Sequence, residues 1–316
     1  MAVELLSQGV LLRAGSTFFV HDSLFISELV PPAGPVLGGT SMLVLGSGFS
    51  SMLAARCRFE MSDTVAIAHH IGHNQMRCVS PSSSRSGPSN VQVSMNGQQF
   101  VSSAIAFTYR AAVQVSSKWP SVGSATGGIP VTVLGSGFSA AAELLDALQC
   151  RFNLTSTPAR YLSESQLVCD SPMSSPGFMV LEVSTNGQDF SSSGVLFETV
   201  TVAIEELAPW LGPTQGGTDI VVSGLGLARL PSLHCQFAPV SFSDAVTMPA
   251  LLKVAASSFD SNRVTCRSPS GISTGWSRVE LVQLGKLLQS KGSFCVHERI
   301  LISKIMPSHG PVGGGT

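Results

Sequence analysis

The sequence is poor in charged and in aromatic side chains. Charged residues make up 12% of the chain and aromatic residues 7%, and the formal net charge at pH 7 is −1. No run of Lys and Arg is present, so the electrostatic attraction that draws proteins to nucleic acid or to an anionic membrane has no visible source. The composition therefore argues against a nucleic-acid partner.

Long apolar stretches are also missing. None approaches the ~18–20 consecutive apolar residues that a membrane-spanning helix needs. The first residues carry Glu4 and no basic segment, so they do not resemble a secretory signal peptide. We expect no membrane span in this segment, while a full-length protein could still be anchored elsewhere.

Patterns typical of catalytic and metal sites are absent as well. The sequence has no acid–base pair that recurs in register, which argues against an enzyme. It has no Cys-x-x-Cys spacing, which argues against a structural zinc site. We therefore expect no catalytic residues, no cofactor and no metal.

What the sequence does contain is a repeat. A Pro-x-x-Gly-x-x-x-Gly-Gly signature occurs four times, and its first residues are 89, 89 and 98 positions apart. Self-similarity at a regular spacing indicates an array, and a unit of this length can enclose its own core. The four copies are Pro31–Gly39, Pro120–Gly128, Pro209–Gly217 and Pro307–Gly315.

The first three copies are followed by the same motifs. A Gly-x-Gly loop precedes Cys-x-Phe, a second cysteine stands close before Ser-Pro, and an alternating run leads to Asn96-Gly97 and Asn186-Gly187 in the first two copies. Alternation with a period of two is typical of half-buried strands. Asn-Gly between such runs is a strong hairpin signal, because both central residues require positive φ. The motifs predict an all-β fold of antiparallel sandwiches, in which Ala140–Leu148 is the one stretch with a helical pattern.

The cysteines follow the repeat too. Both members of each pair lie on the apolar phase of their strands, so we expect them to point into one core. Disulfides would indicate an oxidising compartment and would each contribute roughly 3 kcal/mol. The alternative is buried, reduced thiols; recurrence in every copy favours bonding. The pairs are Cys57 and Cys78, Cys150 and Cys169, and Cys235 and Cys266, separated by 21, 19 and 31 positions, and Cys295 has no partner in its own repeat.

These motifs resemble the IPT/TIG family, immunoglobulin-like domains found in plexins, related receptors and some transcription factors. The resemblance rests on Pro-x-x-Gly-x-x-x-Gly-Gly-Thr, Gly-Ser-Gly-Phe, Cys-x-Phe with a later Cys before Ser-Pro, and the Asn-Gly-Gln-Asp-Phe of Asn186–Phe190. It implies about seven strands in two packed sheets per unit, and extracellular members with paired cysteines and tandem domains that form stalks. The third copy departs from the pattern, with Gly-Leu-Gly-Leu in the loop and Gln283-Leu284-Gly285 at the turn.

We accordingly expect tandem immunoglobulin-like sandwiches of the E-set type, arranged end to end. The expected repeats are residues 24–112, 113–201 and 202–299. Residues 1–23 align with the end of the third repeat at a shift of 276 positions, so we interpret them as the C-terminal hairpin of a preceding truncated repeat. Residues 300–316 are interpreted as the first strand of a following truncated repeat, which makes the chain a fragment of a longer array.

Four further features invite functional interpretations. The Gly-Ser-Gly loops lack the third glycine and the helix of a dinucleotide fingerprint, so we interpret them as turns. His69, His70 and His73 have no counterpart in the second repeat and indicate a solvated strand edge. Asn153 begins an Asn-Leu-Thr glycosylation sequon and is expected to face solvent. Trp119, Trp210 and Trp276 stand near the entries of the repeats. Trp119 is interpreted as a wedge between repeats or a core residue, and the alternative for the tryptophans is an exposed aromatic site for carbohydrate.

The connections between the repeats are short, which favours a rod over a compact body. We interpret the chain as a non-catalytic stalk or recognition array of a larger extracellular or cell-surface protein. Its partners, proteins or glycans, would bind through the inter-strand loops. The alternatives are an accessory array of a secreted carbohydrate-active enzyme and, against the charge balance and the cysteine pairs, a DNA-binding IPT/TIG module.

Overall fold

A computed structural model of the chain describes residues 2–7, 10–17, 23–51, 54–239, 251–258, 260–310 and 312–313. Within these ranges the regular structure is β, apart from the helix α1, Ala140–Leu144, and a 3-10 turn at Leu227–Arg229. The all-β prediction is confirmed, as is a helical turn within Ala140–Leu148. The strands are β1 Ala2–Ser7, β2 Val10–Thr17, β3 Phe25–Val30, β4 Ala33–Pro35, β5 Ser41–Ser47, β6 Arg56–Phe59, β7 Thr64–Ile67, β8 His69–Gly72, β9 Gln75–Val79, β10 Gly87–Ser94, β11 Val101–Arg110, β12 Gln114–Trp119, β13 Val122–Ser124, β14 Pro130–Ser136, β15 Gln149–Phe152, β16 Thr155–Ser163, β17 Gln166–Asp170, β18 Gly177–Ser184, β19 Val195–Val200, β20 Ala203–Ala208, β21 Leu211–Pro213, β22 Asp219–Leu225, β23 Leu233–Pro239, β24 Leu252–Ala255, β25 Ser257–Ser258, β26 Arg263–Arg267, β27 Gly275–Gln283 and β28 Lys286–His297.

From β3 onward the strands form three successive sandwiches, here called units 1, 2 and 3. In unit 1, the sheet β3-β5-β9-β8 faces the sheet β4-β11-β10-β6-β7; unit 3 repeats this with β20-β22-β26-β25 and β21-β28-β27-β23-β24. Pairing is antiparallel except at the three-residue strands β4, β13 and β21, which run parallel to β11, β19 and β28. In unit 2 the long strand β16 pairs with both β15 and β17, so one strand joins the two layers into a single eight-stranded sheet.

Each unit encloses the same core elements. The two cysteines of a unit come from facing layers, and the structure joins their sulfur atoms with Cα–Cα distances of 6.3, 6.3 and 6.1 Å in units 1, 2 and 3. Beside each pair, the Phe of Cys-x-Phe meets a Phe of the last strand edge to face. These ring pairs are Phe59 and Phe107, Phe152 and Phe197, and Phe237 and Phe294, with centroids 5.9, 5.6 and 6.1 Å apart.

The Gly-Gly of each signature is bound to the Ser-Pro that follows the second cysteine. In unit 1 the Gly39 N–H donates to the carbonyl of Ser80 at 2.8 Å, the Ser80 N–H donates to that of Thr40 at 3.0 Å, and the Thr40 N–H donates to the Ser80 hydroxyl at 3.1 Å. Gly38 has φ +74°, and a Cβ there would lie 2.5 Å from the carbonyl carbon of Pro81. The turn therefore requires glycine for its backbone angle and for its close approach to the neighbouring chain. Units 2 and 3 form the same backbone bonds through Gly128, Ile129 and Ser171, and through Gly217, Thr218 and Ser268.

The hairpin turns differ from the sequence-based expectation. At Asn96-Gly97 and Asn186-Gly187 only the glycine has positive φ, and the asparagine Oδ1 instead accepts two backbone N–H groups of its own loop. These are longer Asx-type loops rather than two-residue turns. The two-residue turn with positive φ at both positions is Leu284-Gly285 of unit 3, where Asn-Gly is missing.

The two ends of the chain differ from each other. β1 and β2 form an antiparallel hairpin. The described residues between 300 and 313 lie in no strand, although the equivalent strands β3, β12 and β20 each pair with the strand after the signature. The assignment of both segments to further repeats stays a prediction.

We expect Gly127→Ala to destabilise unit 2 more than Gly194→Ala. Both glycines have φ near +70°, so both substitutions carry the left-handed penalty of about 1–2 kcal/mol. Only at Gly127 would the new Cβ meet backbone, 2.5 Å from the Met173 nitrogen, while Gly194 has open space. Guanidinium unfolding should show an additional loss of about 1–3 kcal/mol for Gly127→Ala. Equal losses in the two variants would contradict the packing of the turn against the Ser-Pro segment.

Candidate functional site

The contacts that unit 2 makes with unit 1 come from its Asn-Gly loop. The Asn186 Nδ2 donates to the carbonyl of Ala33 at 3.2 Å, and the Gln188 Nε2 donates to that of Ser41 at 3.0 Å. The hydroxyl of Thr40, which is fully buried, donates to Asp189 Oδ2 at 2.6 Å. Residues 186–189 are therefore hydrogen-bonded to the signature segment of the preceding unit and the residues that follow it. We call this contact the first joint.

The first joint is a closed polar network. Asn186 Oδ1 accepts the N–H groups of Gln188 and Asp189 at 3.0 and 2.8 Å, which shapes the loop. Its Nδ2 donates both to Asp189 Oδ2, at 2.7 Å, and to Ala33. One carboxylate oxygen thus accepts from a side chain of each unit. Buried polar groups that are all paired in this way fix one arrangement of their partners, because every alternative would leave groups unpaired.

The second joint, between units 2 and 3, uses the equivalent backbone carbonyl as acceptor. It is surrounded by more apolar residues than the first joint. The Gln283 Nε2 donates to the carbonyl of Val122 at 3.2 Å. Val122 and Val200 of unit 2 belong to the apolar core of unit 3. An ion pair of 2.6 Å joins Arg229 to Glu198, but Arg229 is largely exposed, so the pair contributes at most about 1 kcal/mol.

The two joints share one geometric element. Ala33 and Val122 are the first residues of the short parallel strands β4 and β13, and in each case their carbonyl accepts a side-chain amide from the next unit. The donors, Asn186 and Gln283, lie at the end of equivalent strands. Sequence reasoning missed this contact, because it depends on where one unit places its loop on the next.

A groove of about 490 Å³ lies beside the first joint. One wall is the Val30-Pro31 segment of unit 1, and the other is the end of α1 with Leu145 and Asp146. The predicted inter-strand loops thus line a surface shared by two units.

Asn153 occupies an exposed turn between β15 and β16. It has φ 53°, and its backbone N–H and Oδ1 exchange hydrogen bonds with Val180 at 2.9 and 2.8 Å. Leu154, the middle residue of the sequon, is 97% exposed. The turn therefore presents the sequon to solvent on a fixed backbone, and its glycosylation stays a prediction.

The histidines lie on the edge strand β8 and in the turn after it, with His69 and His73 exposed, so the prediction of a solvated strand edge is confirmed. The ring contact is between His70 and His73, with centroids 6.4 Å apart. Among the residues that the structure describes, no group of three His, Cys, Asp or Glu side chains is close enough to hold a metal ion.

The tryptophans lie on the surface. Trp119 is 50% exposed at the end of β12, so the interpretation as a core residue is wrong, while a wedge between repeats stays a prediction. Trp210 and Trp276 are separated by 66 positions in sequence but stack on each other, with ring centroids 6.1 Å apart and an angle of 18° between the planes. This pair could not be predicted from the sequence, because only the strand order of unit 3 brings the two residues together.

We expect a single reactive thiol in the denatured, non-reduced chain after secretion from a eukaryotic culture. The three pairs have Cα–Cα distances within the range of disulfides, which leaves Cys295. Thiol titration with and without reductant tests this, and the reduced chain, with its seven cysteines, provides the calibration. Seven thiols before reduction would refute the disulfides.

In the same expression system, we expect Asn153 to carry an N-linked glycan. Asn153→Gln and Thr155→Val should both remove the corresponding mass, while Thr155→Ser keeps the sequon and should keep the glycan. Intact-mass spectrometry before and after enzymatic deglycosylation measures the difference. A wild-type mass equal to that of the bare polypeptide would contradict the expectation.

No helix in the described ranges is long and apolar enough to cross a membrane.

Human plexin-A3 is 30% identical over 131 residues, which are 37% of this chain and 7% of plexin-A3. Mouse fibrocystin-L is 26% identical over 218 residues, 67% of this chain and 5% of fibrocystin-L. The chain thus spans less than a tenth of these relatives. A solved structure of the full extracellular region of plexin A4 aligns with 92% of this chain and 26% of its own, with 14% identity and a TM-score of 0.48.

The family model described as IPT/TIG domain matches residues 24–109 and 114–199, more than half of the chain. These ranges coincide with the strands of units 1 and 2, including both complete signatures. Unit 3, with its altered loop and turn, lies outside them. The chain belongs to the IPT/TIG domain family.

Proposed function

We propose that the chain is a stiff, non-catalytic stalk or recognition array of an extracellular or cell-surface protein. Members of this family have structural and binding roles in such segments. The observation that carries the proposal is the pair of joints, since each one ties a loop to the signature of the preceding unit. A stalk needs this property, because it must transmit the position of one end to the other.

The connections between units support a stiff arrangement. β11 ends at Arg110 and β12 begins at Gln114, while β19 ends at Val200 and β20 begins at Ala203. Connections of two or three residues leave little freedom for one sandwich to turn against the next. Domains in one chain normally move relative to each other unless their interface is extensive. Here short linkers and side-chain contacts act together.

Within this proposal, the array divides at the linkers into repeats at residues 24–112, 113–201 and 202–299. Each repeat then has its own cysteine pair and a core cluster built mainly from its own residues, although the cluster of unit 3 also takes in Val122 and Val200 of unit 2. An interior disulfide per repeat supports an oxidising, extracellular location. Protein or glycan partners would reach the loops at the joints, where the groove beside α1 offers a surface from two units at once.

The test is to loosen the first joint without changing either unit. Gln188→Ala with Asp189→Ala removes the hydrogen bonds to Ser41 and Thr40. Each such bond contributes about 0.5–1.5 kcal/mol net, so we expect their loss to free the angle between units 1 and 2. Small-angle X-ray scattering should show a broader range of maximum dimensions, and the free energy of unfolding should fall by about 1–3 kcal/mol through the lost bonds.

The matched control is Gln98→Ala with Gln99→Ala in the equivalent loop of unit 1. That loop has the same bonds to its own asparagine, Asn96, but makes no described contact with unit 2. Its scattering profile should equal that of the wild type. A joint variant that also scatters like the wild type would sink the proposal that this loop fixes the angle.

A further inference from the structure

The outer face of unit 3 carries an aromatic surface. The indoles of Trp210 and Trp276 lie nearly parallel, with centroids 6.1 Å apart, yet the two residues remain 55% and 51% exposed. Large apolar rings exposed together on a folded surface are typical of binding sites. We call these two residues the tryptophan pair.

The backbone holds the tryptophan pair in place from both sides of one strand. Cys295 of β28 pairs with Trp276 of β27, and its N–H donates to the carbonyl of Trp210 at 2.7 Å. Both rings thus project from backbone that is fixed by sheet hydrogen bonds. A platform on paired strands loses little conformational entropy when a ligand binds, which favours binding.

Hydrogen-bonding groups flank the pair. Arg278 follows Trp276 by two residues on the same face of β27, about 7 Å away. It pairs across the sheet with Ser293, which is also exposed. The Glu280 carboxylate lies 3.6 Å from the Arg278 guanidinium and accepts a hydrogen bond from Gln236 at 2.8 Å. The acid therefore offsets the charge of Arg278.

Units 1 and 2 lack this combination. At the positions of Trp210 and Trp276, unit 1 has Pro32 and Pro88, and unit 2 has Ser121 and Phe178. The backbone geometry is shared, since Thr108 and Glu198 donate to the carbonyls of Pro32 and Ser121 as Cys295 does to Trp210. The fold therefore does not require tryptophan at either place, and the exposed ring pair is a feature of unit 3 that units 1 and 2 lack.

We propose that the tryptophan pair and Arg278 bind a neutral oligosaccharide. The face of an indole is negative and apolar, which suits the weakly positive C–H groups on the flat face of a pyranose ring. A guanidinium and a hydroxyl beside the rings match the hydroxyl groups at the edge of the next sugar. Because Glu280 neutralises Arg278, the surface favours an uncharged ligand over an acidic one. The site lies within unit 3, so it does not rest on the stiffness of the array.

The test uses the full chain with Trp119→Phe, which leaves the tryptophan pair as the sole indole fluorophores among the three tryptophans. This protein is titrated with neutral β-1,4-linked hexasaccharides of glucose, galactose, mannose and N-acetylglucosamine. We expect a saturable change in fluorescence with at least one of them, with a dissociation constant on the order of 0.1–1 mM. Calorimetry on the wild-type chain should give the same value.

Variants then locate the site. Trp210→Ser, Trp276→Ala and the double variant should weaken binding at least tenfold in calorimetry. Phe178→Ala, an exposed ring at the equivalent position of unit 2, should leave it unchanged. Because the exchanged side chains are exposed, the variants should unfold at the wild-type temperature. The proposal fails if no hexasaccharide binds, if only an acidic oligosaccharide binds, or if the double variant binds as the wild type does. Absence of binding to all four hexasaccharides would point to a protein contact instead. A failed scattering test of the first joint would leave this result untouched.

Discussion

The hydrogen bonds between the Gly-Gly turn and the Ser-Pro segment are the constraint on which the rest of the structure depends. In unit 1 they join the start of β5 to the end of β9, the strand that carries the second cysteine. The part of the signature that precedes the turn, β4 in unit 1, pairs in parallel with β11, the last strand of the same unit. As a result, the carbonyl of Ala33 or Val122 is offered to the next unit, so a local turn determines where the neighbour attaches.

The two joints reach a similar result by different physics. The first depends on a closed set of hydrogen bonds around Asp189, which fixes direction because such bonds tolerate little misalignment. The second embeds Val122 and Val200 in the core of unit 3, and apolar burial stabilises contact without specifying an angle as narrowly. Hydrogen bonds thus fix the angle at the first joint, whereas apolar burial mainly stabilises the second.

Much of the fold could be predicted from the sequence, because short sequence patterns within each unit determine its strands and turns. The period of two, the recurring signature and the Cys-x-Phe motif each reflect a requirement within one unit. The Asn-Gly turns misled because Asn96 and Asn186 bind their own loops through the side chain, whereas Leu284-Gly285 forms the tight turn. The joints and the tryptophan pair could not be predicted, since residues as distant as Ala33 and Asn186 meet only once complete sandwiches are placed together.

The bridges between the sheets have a mechanical consequence. In a chain pulled from its two ends, the segment between the bonded cysteines of a unit carries no load, because force passes through the sulfur atoms. Separations of 21, 19 and 31 residues would each shield about 60–110 Å of extended polypeptide. A unit that yields under tension therefore lengthens only by its unshielded strands, so the disulfides limit the maximum length that the three units can reach.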